Sequence, residues 1–393
     1  MTERVRFLEH VLRARLARAR RITLLSGPRK VGKTTLARSL ATDYLNWHSL
    51  ADRRLILRGP RAVADQLGLG RQRERDLVVV FDNLQGCRKW KSFLRGLRAL
   101  HGSRLRVIVT GLESGAESAR TAGSLLHRVH PWSVGECVRR SGIDSPIHPP
   151  TAIADEDWAA LVEHGGFPEP FLNRDARFTR RWHARRQHES VGTELFSLAS
   201  VREFPTLQLL ALLLSERSGT QLFYSHLSRE LGVSVDTIRR WVGLLVRTQY
   251  GFLVRPWWIR VPKGLRKEPK WFLRDWSGVA TPSARQRTLL ACHLLKAVDG
   301  WTDLGFGRFE LRYVRDKARR EVDFLVTRER QPWFLLTLGE AGEAAPALGY
   351  FQHCIRAPHA FHVVFDAPYV AADCFERTTP SVVSARTLLS QLL

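Results

Sequence analysis

One short segment constrains this chain more than any other part of its sequence. Residues 27–34 read Gly-Pro-Arg-Lys-Val-Gly-Lys-Thr, which satisfies the pattern G-x-x-x-x-G-K-[ST] in full. The segment follows an apolar run at residues 21–26 that is typical of a short buried strand, and it precedes a stretch with helical character at residues 35–41. A strand, a glycine-containing turn and a helix in this order predict a phosphate-binding loop.

The residue types in this loop indicate which ligand it binds. Glycines let consecutive backbone N–H groups turn towards phosphate oxygens. Lys33 is expected to reach the β- and γ-phosphates, and the Thr34 hydroxyl is expected to hold Mg²⁺. We therefore predict a site for a nucleoside triphosphate, with ATP and Mg²⁺ as cofactors, formed by Gly27, Pro28, Arg29, Lys30, Val31, Gly32, Lys33, Thr34 and Thr35.

Two further apolar runs end on polar residues that suit the same site. Residues 77–81 lead to Asp82, and residues 105–109 lead to Thr110. Helical stretches separate these runs, so we expect parallel strands. Asp82 is predicted to be the second oxygen ligand for Mg²⁺, with the capping of a turn as the alternative. Thr110 is predicted to sense the γ-phosphate, with a hydrogen-bonded strand end as the alternative.

Asn83 follows Asp82, at the position where AAA-class ATPases, which this arrangement of loop and aspartate resembles, normally place a Glu that activates the attacking water. An amide can orient water but cannot accept its proton at neutral pH. Gln85 or Glu113 could take over this task, although no sequence pattern selects either. The predicted catalytic residues are therefore Asp82, Asn83 and Thr110, and we expect slow or conditional hydrolysis.

The chain carries a formal net charge of +24, which favours a polyanionic partner such as DNA. Only nine of the 62 basic residues are lysine, so an arginine-rich genome is an alternative explanation. No stretch approaches the roughly 18–20 apolar residues of a membrane span, and no signal peptide is recognisable at the start. We expect a cytoplasmic protein without membrane contact, and its oligomeric state stays open.

The length of 393 residues predicts two or three domains. Proline and serine cluster near residues 141–150, and helical patterns dominate the next hundred residues. Aromatic and β-branched runs return at residues 309–313, 322–326 and 333–338, which indicates a second, smaller α/β unit. We predict domains at residues 1–150, 151–260 and 261–393.

Seven segments, in the family's order along the chain, resemble prokaryotic AAA-superfamily ATP-binding proteins that carry a C-terminal domain of unknown function 4143. These segments are residues 27–36, 44–47, 81–85, 109–111, 130–133, 165–170 and 320–324. The resemblance implies an α/β fold with three parts: an N-terminal P-loop NTPase domain with an AAA-like parallel sheet, a winged-helix middle and a C-terminal restriction-endonuclease-like domain. Such proteins have Glu where this chain has Asn83. The segment around residues 124–128 is shortened, so no arginine finger is assigned.

The winged-helix prediction depends on two helices and the turn between them. Residues 221–231 are expected to form a helix that ends at Gly232, and Ser234 is expected to cap a second helix at residues 235–249. Early residues of the second helix would approach a DNA groove, namely Asp236, Thr237, Arg239 and Arg240. Packing of these helices against protein is the alternative that stays open.

The implied endonuclease domain lacks most of the side chains that bind metal in such folds. Asp323 is present, but the family register places Thr337 and Gly339 where Glu and Lys belong, and Arg287 where a helix Glu belongs. We therefore predict no nuclease activity. Asp323 is expected to be a structural carboxylate beside Arg319 or Arg320.

From these features we predict an AAA-type ATPase with slow or conditional hydrolysis that is coupled to DNA or to another partner. The alternative function is a non-catalytic, nucleotide-gated module that binds DNA or protein.

Overall fold

The computed structural model describes residues 5–18, 21–69, 77–102, 105–112, 124–139, 143–189, 204–257 and 268–393. The chain divides into two compact units, which are described separately. The first comprises Met1–His130 and Arg140–Ile143, and the second comprises Pro131–Arg139 and Asp144–Leu393.

The first unit is built around a five-stranded parallel sheet with the strand order β2-β3-β4-β1-β5. The predicted parallel α/β sheet is therefore confirmed. Its elements are α1 (Phe7–Arg18), β1 (Ile22–Ser26), α2 (Lys33–Arg38), β2 (Asp43–Asn46), α3 (Leu50–Leu57), α4 (Pro60–Gln66), β3 (Leu77–Asp82), α5 (Trp90–His101), β4 (Leu105–Leu112) and β5 (Ser124–Arg128).

The apolar runs in the sequence become the inner strands of this sheet. All five residues of β1 are buried between β4 and β5, as a central parallel strand covered on both faces requires. In the register of β2 and β3, Asn46 lies opposite Asp82, and in that of β1 and β4, Leu25 lies opposite Thr110. Parallel strands end at one edge of a sheet, so Asp82, Thr110 and the loop after Ser26 come together there.

The second unit contains a seven-stranded mixed sheet with the order β12-β11-β10-β9-β8-β6-β7. Its helices are α6 (Val134–Val138), α7 (Asp155–His164), α8 (Pro168–Asn173), α9 (Ala176–Glu189), α10 (Phe204–Glu216), α11 (Tyr224–Leu231), α12 (Val235–Arg247), α13 (Pro282–Leu304), α14 (Pro346–Ile355) and α15 (Ala385–Gln391). Its strands are β6 (Gly251–Pro256), β7 (Lys270–Leu273), β8 (Phe309–Arg315), β9 (Glu321–Arg328), β10 (Gln331–Gly339), β11 (His359–Val364) and β12 (Ser381–Ser384).

The strands β6 and β7 lie on either side of the predicted boundary at residue 260 and pair with each other antiparallel. β6 also pairs with β8, so both belong to the C-terminal sheet. The division at residues 150 and 260 stays a prediction. None of the helices in the described ranges is long and apolar enough to cross a membrane.

The helix pair α11 and α12 follows its sequence signals closely. Gly232 ends α11 with a φ of 66°, and the Ser234 hydroxyl accepts a hydrogen bond of 3.1 Å from the Thr237 N–H. The first helix begins three residues later than predicted, because Gln221 forms a β-bridge with Lys270 instead. The apolar residues of α12 that recur at helical spacing are buried, namely Ile238, Trp241, Leu244 and Leu245.

Candidate nucleotide-binding site

Two glycines of the loop between β1 and α2 stand where a side chain would be strained or would clash. Gly32 has a φ of 96° directly before α2, a value that L side chains rarely adopt. A Cβ atom at Gly27 would overlap the carbonyl oxygen of Val129, which directly follows β5. Lys30 also has a positive φ of 61°. The pattern in the sequence therefore corresponds to real steric requirements in the loop.

Lys33 folds back over this loop from the first position of α2. Its Nζ atom donates to the carbonyl oxygens of Gly27, at 2.7 Å, and Pro28, at 2.8 Å. The ammonium group is thus fixed beside the backbone that the motif predicts to surround phosphate.

Asp82 lies at the centre of the site, and only 2% of the residue is exposed. Its Oδ2 atom accepts hydrogen bonds from the Thr34 hydroxyl, at 2.9 Å, and from the Tyr44 hydroxyl, at 2.5 Å. Its Oδ1 atom accepts a short hydrogen bond from the Thr110 hydroxyl. Three hydroxyl groups from three separate elements therefore converge on one carboxylate.

Tyr44 keeps its proton throughout the physiological pH range. Burial, followed by its hydrogen bond to the negative Asp82, raises the pKa of the Tyr44 hydroxyl to about 12. The guanidinium group of Arg38 lies 4.3 Å from the centre of the Tyr44 ring. This phenol is therefore a fixed donor to Asp82.

The oxygen atoms of this cluster suit a hard divalent cation such as Mg²⁺, which prefers carboxylate, hydroxyl and water ligands. The side chains that donate to Asp82 are neutral hydroxyls, so they leave its negative charge uncompensated. Thr34 and Asp82 would hold the ion, as the sequence predicted. The chemistry of the donor set therefore fits the expected metal.

Asn83 adopts a left-handed backbone conformation with a φ of 58° directly after Asp82. Its N–H points at the Thr110 hydroxyl, at 3.4 Å. A Cβ atom on Gly111 would lie 2.9 Å from Asn83 Oδ1 and 2.6 Å from Gln85 Oε1. Both amides thus reach the end of β4, while Glu113 lies outside the described residues.

Two residues of this region were not identified from the sequence. Tyr44 belongs to β2, a four-residue strand that no apolar run in the sequence predicts. In the sheet, Tyr44 lies opposite a residue of β3. Arg6 donates to the Val31 carbonyl, at 3.0 Å, and to the His130 carbonyl, at 2.6 Å. Arg6 thereby connects the start of the chain to the loop, and only contacts between distant segments reveal this.

The predicted neighbours of Asp323 were wrong. Its Oδ1 atom lies 3.3 Å from Lys270 Nζ and 3.3 Å from Arg287 Nε, and its Oδ2 accepts from the Leu338 N–H at 3.1 Å. Arg320 instead pairs with Asp316, at 2.6 Å. Lys270 lies 53 residues before Asp323, so proximity in sequence could not indicate this ion pair.

The residues of β10 at the positions compared with metal ligands do not form an acidic site. Thr337 Oγ1 lies 3.4 Å from Nδ1 of His362, and both residues are buried. A Cβ atom at Gly339 would overlap the His362 ring. Within the described ranges, no group of three or more His, Cys, Asp or Glu side chains is placed to hold a metal ion.

Comparison with known families gives two matches. A model of an AAA domain matches residues 19–137. A domain of unknown function, DUF8612, matches residues 155–282, and it is a different domain from the one that the sequence resemblance suggested. No curated protein matches significantly.

Two solved structures illustrate how distant the similar proteins are. PCH-2 from C. elegans is 15% identical with a TM-score of 0.25, and the alignment covers 60% of this chain and 66% of that chain. AMPPCP-bound DnaA from Aquifex aeolicus is 12% identical with a TM-score of 0.27, covering 62% and 88%. The chain thus spans just under two thirds of the PCH-2 chain.

The family match covers the loop, Asp82 and Thr110, and the geometry places all three at one edge of a parallel sheet. The N-terminal part of this chain therefore has a parallel five-stranded sheet and a loop that match a P-loop, AAA-like domain.

Proposed function

We propose that this protein binds ATP with Mg²⁺ at the loop after β1 and hydrolyses it slowly or conditionally. The observation that carries the proposal is the convergence of Thr34, Tyr44 and Thr110 on the buried carboxylate of Asp82. Lys33 lies on the carbonyls of the same loop. A lysine, a hydroxyl and a carboxylate in this arrangement match the requirements of a triphosphate and its metal.

Each side chain has a distinct task in this proposal. Lys33 exchanges its carbonyl acceptors for phosphate oxygens, which are stronger partners because they are charged. Thr34 and Asp82 would hold Mg²⁺, which would supply positive charge to the phosphates. Thr110, bonded to both Asp82 and the Asn83 N–H, senses whether a γ-phosphate is present.

The amides of Asn83 and Gln85 support slow turnover. Both reach Gly111, where the attacking water would have to be oriented, and neither can accept a proton at neutral pH. A positioned general base typically contributes about 10²- to 10⁴-fold to a reaction rate. Since neither amide supplies a base at this position, we propose that the site binds ATP and hydrolyses it slowly.

We further propose that nucleotide binding is coupled to DNA or to a partner through a winged-helix segment formed by α10, α11, α12, β6 and β7. The helix pair with its Gly232 turn and the antiparallel β6–β7 pair support this assignment. Beside α12 lies a groove of about 650 Å³ whose lining includes Arg239, Arg255 and Arg312. A basic groove next to an exposed helix suits a phosphate backbone.

The second candidate function is a non-catalytic, nucleotide-gated binding module. We propose that residues 261–393 form an endonuclease-like domain that has lost its metal site, with the P-loop domain at residues 1–150 and the middle domain at residues 151–260. The ion pairs of Asp323 with Lys270 and Arg287 favour this view, since two positive charges beside the carboxylate would repel a metal cation.

One experiment separates the two functions. ATP binding is measured by calorimetry, and ATP turnover is measured in steady state, each with and without duplex DNA. Turnover that DNA stimulates supports the ATPase, and tight binding without turnover supports the gated module. The absence of ATP binding under all conditions would refute both.

A further inference from the structure

Tyr44 belongs to no nucleotide-binding motif, yet its hydroxyl binds the same oxygen atom as the hydroxyl of Thr34. The distances to Asp82 Oδ2 are 2.5 Å from Tyr44 and 2.9 Å from Thr34. A short strand, β2, supplies Tyr44 from the edge of the sheet and pairs with β3, which carries Asp82. The tyrosine is therefore built into the sheet at a defined distance from the carboxylate.

The number of donors on Asp82 limits what else this carboxylate can bind. Each carboxylate oxygen offers about two acceptor sites. On Oδ2 both are used, by Thr34 and Tyr44, and on Oδ1 one is used, by Thr110. A cation held by Thr34 would lie on the side of Oδ2, the oxygen that the Thr34 hydroxyl contacts, and a direct bond to Oδ2 would have to displace a hydroxyl donor.

We propose that Tyr44 determines which cation the site accepts, because its hydroxyl keeps Oδ2 of Asp82 from bonding a metal directly. This inference depends on the proposed nucleotide function. A cation held through water and through Thr34 suits Mg²⁺, which gives up its water ligands reluctantly. Ca²⁺ bonds directly to carboxylates in larger and more flexible shells. Tyr44 thus disfavours Ca²⁺ relative to Mg²⁺.

The variant Tyr44→Phe tests this with a minimal change. It removes one hydroxyl and keeps the ring that stacks 4.3 Å from the Arg38 guanidinium group. Binding of ATP is titrated in EDTA, and then with increasing Mg²⁺ or Ca²⁺. We expect the Ca²⁺ concentration for half-maximal effect to fall about tenfold, the smallest change expected for losing a hydrogen bond to a charged group. The Mg²⁺ concentration and the affinity in EDTA should change by less than about twofold.

Pulsed EPR detects directly which atoms bond the metal ion, first in the unmutated protein and then in the variant. Mn²⁺ replaces Mg²⁺ in the unmutated protein with ATP, and pulsed EPR is recorded after labelling aspartate with ¹³C at its carboxyl carbon. We expect no coupling typical of a directly bonded carboxylate. In Tyr44→Phe the coupling should appear, together with the loss of one water ligand detected with ¹⁷O-labelled water.

Tyr350→Phe is the matched control, since it removes a phenol hydroxyl from a residue in the second unit that is 41% exposed. It should leave both cation titrations unchanged. If the unmutated protein binds ATP but already shows a directly bonded aspartate, the inference about Tyr44 is wrong and the proposed function stands. Equal Ca²⁺ and Mg²⁺ titrations in the folded variant and the unmutated protein lead to the same conclusion. If no ATP binds with any cation, the proposed function fails as well.

Discussion

Asp82 and Asp323 are both aspartates on strands of a central sheet, but their surroundings differ in charge. Asp82 accepts hydrogen bonds from three neutral hydroxyls. Asp323 lies 3.3 Å from both Lys270 Nζ and Arg287 Nε. Hydroxyls orient a carboxylate and leave its charge for a cation, whereas a lysine and an arginine cancel it. The partners of an aspartate, rather than its presence in a strand, therefore decide whether it can bind metal.

Lys33 in the first unit and Lys270 in the second unit also have different partners. Lys33 donates to the carbonyls of Gly27 and Pro28, in the loop that the motif predicts to surround phosphate. The side chain of Lys270 is 3% exposed and lies 2.6 Å from Glu321 as well as 3.3 Å from Asp323. Lys270 therefore has a structural role, and substitutions in both regions can test this contrast.

The largest effect is expected for Lys33→Ala. The variant lacks the ammonium group that the motif places beside the β- and γ-phosphates. ATP affinity should fall by at least about 100-fold, as for other buried charge pairs in which one partner is removed. Calorimetry measures this, with Lys91→Ala on the exposed side of α5 as the control. Equal affinity in both variants would contradict the assignment of the loop.

Asn83→Glu should have the next largest effect, on turnover. A carboxylate at this position can accept the proton of the attacking water, so the steady-state rate should rise by about 100-fold. Gln85→Glu is the companion variant, because its amide also reaches Gly111. A faster Gln85→Glu protein together with an unchanged Asn83→Glu protein would move the water-activating position to residue 85. A fast unmutated protein would show that another base is present.

The variants Asp82→Asn and Asp323→Asn test directly whether the two aspartates have different roles. The first should raise the Mg²⁺ concentration needed for ATP binding by about 10- to 100-fold. The second should leave ATP binding unchanged and lower the free energy of unfolding by about 1–3 kcal/mol, because Lys270 and Arg287 lose a charged partner. Titration of Mg²⁺ and urea unfolding measure the two effects.

A catalytic role for Asp323 would contradict the proposed difference between Asp82 and Asp323. The protein is incubated with plasmid, linear and single-stranded DNA in Mg²⁺ or Mn²⁺, and we expect no cleavage. Cleavage that Asp323→Asn removes would mean that this carboxylate binds metal despite its two cationic neighbours.

The smallest effect is expected for the double variant Arg239→Ala with Arg240→Ala. Both arginines are exposed on α12, and an arginine that binds a DNA phosphate contributes about one unit to the slope of the salt dependence of affinity. The slope should therefore become shallower, and fluorescence anisotropy over a range of salt concentrations measures it. Arg180→Ala with Arg181→Ala removes the same charge from the exposed face of α9. Equal slopes in the two double variants would place DNA binding elsewhere.

The sequence alone determined the features that depend on neighbouring residues. The loop at residues 27–34 is contiguous, and its glycines are required by the backbone angle at Gly32 and the close approach of Val129 at Gly27. The strands β1, β3 and β4 are apolar because they are buried in the centre of the sheet. Asp82 and Thr110 could be placed beside the loop because parallel strands end at one edge.

Only the tertiary structure decided which side chains complete each site. β2 has one buried residue among four, so no apolar run predicts this strand or the position of Tyr44. Arg6 and Lys270 act on residues far away in the chain, and periodicity reports only on near neighbours. The partners of a side chain depend on distances between segments, and for this reason the sequence could separate the roles of Asp82 and Asp323 but could not name Tyr44, Lys270 or Arg287 as their partners.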